Sequence, residues 1–331
     1  MALTAAPKFY SIESVAYPGY YVTQQGTQIV LKSKDALNPF QLWYRDESWQ
    51  FLTQEISDLS AFVFINHGSK KALRSQEIAT SRHFAKATVR DYDPAVEDDS
   101  LLWSVSRSSD DQVSITMTGN SSVFLSHTSS SSNFKDGVPV VTSTSGGSSR
   151  WKLVTYEPSQ VYRILCHWFG QYLTWKQQNV DVTFKDAIKH NDETNVVAVS
   201  PNNISLDGMI WYKVPAGGRD DTTYFTSFIL INKVTGLALK GSTKPGDKVL
   251  LTQYDPLDYG FVWSENRFQA SNTDYLAINL DGTNLQWALQ NDDQYQNSAW
   301  YHPLTLRPAS ANQSSRPGNS IQWWQAVNHE P

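Results

Sequence analysis

One tripeptide that sets an aromatic ring beside a carboxylate occurs twice, as Tyr92-Asp93-Pro94 and Tyr254-Asp255-Pro256. A third stretch is richer in such groups, with Gln290 and Asp292 after an apolar run, then Trp300 and Tyr301, then Asn319 shortly before Trp323. A ring supplies a flat apolar face, while carboxylates and amides supply the hydrogen-bonding groups. The ligand that suits this combination carries a belt of hydroxyls around a C–H face, as a sugar ring does. Such a contact desolvates little area, so one site binds weakly and useful affinity needs several sites on one body. Each candidate also has a plainer reading. Tyr-Asp-Pro is a natural turn, its Asp accepting backbone N–H groups and its Pro fixing φ. Asp292 and Asp293 can be solvated turn residues, and Trp300 can pack against a barrel. The insert from Pro303 to Pro317 also obscures how this stretch aligns.

The elements that must hold these residues are read from a repeat. Phe62-Val-Phe-Ile-Asn66 returns as Phe228-Ile-Leu-Ile-Asn232, 166 positions later. Trp43-Tyr44 returns as Trp211-Tyr212, and Trp103-Ser104 with Arg107 returns as Trp263-Ser264 with Arg267. Ordered anchors at nearly constant offset indicate a tandem duplication. The expected organisation is a tail over 1–6, a first domain over 7–156 and a second over 157–331, each long enough to bury its own core. The seam Thr155–Ser159 has no Gly/Ser-rich tether.

Apolar residues come in short alternating or β-branched runs, such as Tyr20–Thr23, Gln28–Leu31, Ala61–Ile65, Ser114–Met117, Val138–Val141 and Lys248–Thr252. These predict strands of four to six residues between Gly, Asn, Asp and Pro turns, hence an all-β class. A finer period divides each half into three blocks, closed by Trp43, Trp103 and Trp151, then by Trp211, Trp263 and Trp323. One Trp per block is a packing motif, so these six are expected in the core. Three blocks of about four strands describe a β-trefoil, a six-stranded barrel capped by three hairpins, and two of them in tandem. Asn66 and Asn232, each before a turn, read as structural caps.

Net charge is −5 and no Lys/Arg cluster occurs, which argues against nucleic acid or an anionic membrane as partner. No apolar run reaches ten residues, so membrane insertion is not expected. The N-terminus lacks the basic start and apolar core of a secretory signal, and the single cysteine, Cys166, allows no internal disulfide. A cytoplasmic location, extending to the nucleus, is the expectation, with the sequons at Asn120, Asn203 and Asn312 unoccupied. The seven histidines are scattered without metal-ligand spacing, and nucleophile-elbow and phosphate-loop motifs are absent. No metal, no cofactor and no catalysis are expected.

The Gln41-x-Trp43 block resembles the Gln-x-Trp repeats of ricin-B-type lectins. More narrowly, Gln41-Leu-Trp-Tyr-Arg-Asp-Glu47, Phe228–Gly236, Tyr254-Asp-Pro256 and Leu102–Arg107 resemble the Euonymus-lectin (EUL) family, with each half like one whole domain. The resemblance implies a non-catalytic, nucleocytoplasmic protein that binds mannose- or galactose-containing glycans or glycoproteins, with a homodimer left open. In related trefoil lectins the site combines an Asp early in the block, an aromatic on the next strand and an amide before the Trp. The third block of the first half departs from this. It keeps Asp136 but has Thr142-Ser-Thr-Ser145 in place of the aromatic and Gly146-Gly-Ser-Ser149 in place of the amide. Trefoils also serve as protein-interaction modules and protease inhibitors, the alternative if sugar binding has lapsed.

Overall fold

The computed structural model describes residues 6–50, 60–76, 83–107, 111–128, 135–144, 150–158, 161–166, 171–175, 194–199, 206–218, 227–266, 277–289, 301–309 and 324–328. Among them the short apolar runs form strands, and the only helical pieces are 3-10 turns of three or four residues. The chain divides into two units, Lys8–Glu157 and one holding Pro158–Pro331. Each carries its own 12-stranded sheet.

The first unit contains β1 (Phe9–Ser14), β2 (Tyr20–Gln25), β3 (Gln28–Ser33), β4 (Trp43–Asp46), β5 (Val63–Asn66) and β6 (Ala72–Ser75). It continues with β7 (Phe84–Arg90), β8 (Trp103–Arg107), β9 (Val113–Met117), β10 (Phe124–His127), β11 (Val138–Ser143) and β12 (Trp151–Thr155). Six of these close into a ring. β4 pairs with β5, Phe62 just before β5 bridges Trp103 of β8, and β8 pairs with β9. β9 then meets β12, β12 meets β1, and β1 returns to β4. The other six are the hairpins β2–β3, β6–β7 and β10–β11, and their second strands pair with one another. Gly26, with φ of 62°, opens the two-residue loop of the first hairpin, where a positive φ matches the strand twist.

The second unit repeats this order. Its strands are β13 (Val161–Cys166), β14 (Gln171–Trp175), β15 (Thr194–Val199), β16 (Trp211–Pro215), β17 (Ser227–Asn232) and β18 (Ala238–Lys240). They are followed by β19 (Leu250–Thr252), β20 (Trp263–Asn266), β21 (Ala277–Leu280), β22 (Leu285–Leu289), β23 (Tyr301–Pro308) and β24 (Trp324–Asn328). The series β24–β13–β16–β17–β20–β21 reproduces five of the six ring pairings. Trp323, where the sixth is expected, lies outside the described residues. Hairpins β14–β15, β18–β19 and β22–β23 are again mutually paired.

The tryptophans fix both interiors. Trp43, Trp103, Trp151, Trp211 and Trp263 are all 0% exposed. Each donates its indole N–H to a backbone carbonyl on the first hairpin strand of its own block: Val22, Leu73, Leu125, Leu173 and Leu239, at 2.9–3.1 Å. One ring therefore fills the barrel and bolts a hairpin to it. Burying a side chain of ~200 Å² contributes about 5 kcal/mol before entropy is charged. The sequence expectation placed these residues at the close of each block. Trp43, Trp103 and Trp151 stand there, each opening the fourth and last strand of its block, β4, β8 and β12, as Trp211 and Trp263 open β16 and β20.

Candidate functional site

A 3-10 turn leads into several of these tryptophans, and an Asx side chain caps it. Asn38, Asp98 and Asp258 accept the backbone N–H of Phe40, Ser100 and Gly260. Gln41 of the Gln-x-Trp motif is 3% exposed. Its amide donates to the Ser33 carbonyl at 2.8 Å and accepts from the Asp35 N–H at 2.9 Å, bracing the turn. Asn66 and Asn232 are both 0% exposed, and each caps its hairpin. Asn66 Oδ1 accepts from Gly68 and Ser69, and Asn232 Oδ1 from Val234 and Thr235, while the amide nitrogens hold the carbonyls of Phe40 and Gly208. These groups build the fold.

The two Tyr-Asp-Pro segments part company. Asp93 and Asp255 act alike, each accepting the N–H two residues on (Ala95 and Leu257, both at 2.9 Å) as in an Asx turn. The tyrosines differ. Tyr254 is 4% exposed and packs edge-on against Phe261, with ring centroids 5.3 Å apart, so its ring belongs to the core. Tyr92 is only half-buried, and its hydroxyl donates to Asp46 Oδ2 at 2.7 Å. Trp49 donates its indole N–H to the same hydroxyl at 2.8 Å. The other Asp46 oxygen accepts the Ser48 N–H at 3.0 Å. Burial, and then the Asp46 carboxylate taking its proton in a hydrogen bond, push the Tyr92 hydroxyl far above the ordinary tyrosine range. It stays a donor at neutral pH. Lys71 pairs with the neighbouring Asp91 at 3.1 Å, and that carboxylate is 91% exposed.

Ring and carboxylate thus converge on one flank of the first unit, using Asp46 and Trp49, which local sequence reading did not single out. Strand β4 places Asp46, the turn after it places Trp49, and the loop after β7 brings Tyr92 to both. In the second unit the matching strand β16 carries Val214, 1% exposed, where β4 carries Asp46. Gln290, Asp292, Trp300 and Asn319 lie outside the described residues, as does the side chain of Tyr301. In the third block of the first unit, Asp136 accepts the N–H of Ser33 at 2.9 Å and tethers β11 to β3. Among the described residues no group of acidic, His or Cys side chains is arranged to hold a metal ion, and no helix is long and apolar enough to cross a membrane.

Fold and pairing define the class: an all-β protein of two sheets, each rolled into a barrel-like unit stitched by buried tryptophans. Among curated proteins, the chain is similar to "Ricin B-like lectin R40G2" of Oryza sativa subsp. japonica. The two are 23% identical over 282 residues, 78% of either chain, which supports a ricin-B-like lectin family. No family model matches. Three solved structures resemble it at low TM-scores. The hemolytic lectin CEL-III gives 0.37 at 13% identity, covering 98% of this chain and 65% of that one. The designed threefold protein ThreeFoil gives 0.35 at 17%, covering 50% and 97%. A mosquitocidal holotoxin gives 0.37 at 11%, covering 98% of this chain but 34% of its own. The class therefore rests on strand pairing and on the rice relative.

Proposed function

We propose that this chain is a lectin: two tandem β-trefoils that bind glycans without turnover and belong to the Euonymus-lectin branch of the ricin-B-like proteins. The rice ricin-B-like lectin, matched across both units, is the observation that carries the sugar-binding reading. The six-membered strand ring with its three mutually paired hairpins supports the trefoil. Mannose- or galactose-containing glycans are the proposed ligands. Gln290, Asp292, Trp300, Tyr301 and Asn319 are the proposed contacts in the second unit, and Tyr92 with Asp93 in the first. A cytoplasmic and nuclear location goes with the same reading. A glycan-array screen of the whole chain tests it: binding that free monosaccharide competes away is expected. A well-folded protein that is silent on the array overturns it. The reading as a protein-interaction module or protease inhibitor would then lead.

A further inference from the structure

We infer that the first unit carries a sugar subsite built on Trp49, with Tyr92 and Asp46 positioning the ring, and that it accepts neutral or amino sugars and rejects anionic ones. This rests on the lectin reading above and deepens it. A stacking platform works best when its orientation is fixed before the ligand arrives, because no rotamer freedom is then lost on binding. Trp49 meets that condition in two steps. Its N–H is tied to the Tyr92 hydroxyl at 2.8 Å, and that hydroxyl is tied to Asp46 at 2.7 Å. Trp49, Tyr92 and Asp46 are each partly exposed residues. Carboxylates have room for further donors beyond the one each oxygen now accepts, so Asp46 can still take a sugar hydroxyl.

Charge sets the ligand class. Asp91, Asp93, Glu97, Asp98 and Asp99 stand within nine residues around Tyr92 with no cation between them. Lys71 and Arg90 pair with Asp91 and Asp98, Arg74 also acts on Asp98, and Arg45 beside Asp46 pairs with Glu47, so these cations offset part of that charge. A neutral ring meets hydroxyl acceptors here, and an ammonium is attracted. A carboxylate or sulfate bound beside Asp46 meets like charge. The second unit cannot build the same subsite, since Val214 replaces Asp46 and Tyr254 is packed on Phe261.

The test is titration calorimetry on the full chain with matched neutral, amino and uronic monosaccharides of manno and galacto configuration. Trp49→Ala is expected to remove one binding site per chain or weaken it at least tenfold, with Tyr92→Phe weakening it less. Uronic acids are expected at least tenfold weaker than their neutral parents. Asp91→Asn, a change at a surface position, is expected to narrow that gap. A Trp49→Ala protein that folds and titrates like the wild type overturns the subsite, and so does a wild type that takes uronic acids as well as neutral sugars. A wild type that binds no glycan at all overturns the lectin reading, and this one with it.

Discussion

Tyr92 and Asp46 meet at 2.7 Å across forty-six residues of chain, and the same tyrosine oxygen receives the Trp49 indole N–H. Tyr92→Phe removes a charge-assisted hydrogen bond and takes the acceptor from Trp49, so a loss of about 1–2 kcal/mol is expected in urea denaturation. The raised Tyr92 pKa adds a pH signature. Its contribution is whole below the unfolded value near 10 and is lost as pH climbs above that value. The stability of the wild type should therefore fall more steeply above about pH 10 than that of Tyr92→Phe.

Trp103→Phe tests the bolt between barrel and hairpin. It deletes volume at a 0% exposed position and strands the Leu73 carbonyl. A loss of about 2–4 kcal/mol is expected, with a lower urea midpoint. If Trp103→Phe unfolded at the wild-type midpoint, the hydrogen bonds shared by five tryptophans would be incidental.

Gly68 and Gly119 form a matched pair for backbone substitution. A Cβ on Gly68 would lie 2.6 Å from the Phe40 ring, whereas one on Gly119 meets nothing within 4 Å, and neither residue has a positive φ. Gly68→Ala should cost about 1–3 kcal/mol by overpacking. Gly119→Ala should be neutral or stabilise by up to about 1 kcal/mol, through the unfolded chain. Thermal unfolding midpoints of the two variants check the contrast.

His67 is 2% exposed, beside Phe9 at 4.6 Å between ring centroids. Burial first, and the nearby Lys70 charge second, hold its pKa well below the ordinary value. A lowered folded-state pKa means the contribution is whole above the unfolded value near 6.5 and is lost as pH falls below it. Stability should decline between pH 7 and pH 5, and His67→Leu should flatten that slope. Equal slopes would show that the decline comes from other groups.

Much of the fold is legible in residue order. The runs at Tyr20, Gln28, Ser114, Val138 and Lys248 became β2, β3, β9, β11 and β19, because short alternating segments bury one face. Asn66 and Asn232 announced themselves as caps by standing before a turn in both copies. The site was harder to read. Tyr92 and Tyr254 sit in identical tripeptides, yet five residues separate Tyr92 from the capping Asp98 and only three separate Tyr254 from Asp258. The shorter segment draws Tyr254 onto Phe261, while the position matching Phe261 in the first unit is Leu101. Asp46 and Trp49 reach Tyr92 only after β4 and the loop following β7 are folded together, a juxtaposition no local pattern encodes.

The closure of the first ring by β12 on β1 dictates an order of events during synthesis. Five pairs, from Tyr10 with Thr155 to Ser14 with Trp151, join the two ends of the unit. They cannot form until the ribosome has made and released the last of these residues. At ~5–20 residues per second, β1 waits roughly 7–30 s for that partner. In the meantime it can hold the short contacts with β2 at Glu13 and with β4 at Phe9 and Tyr10, while the edge that β12 will cover stays open for most of the time the unit is being made.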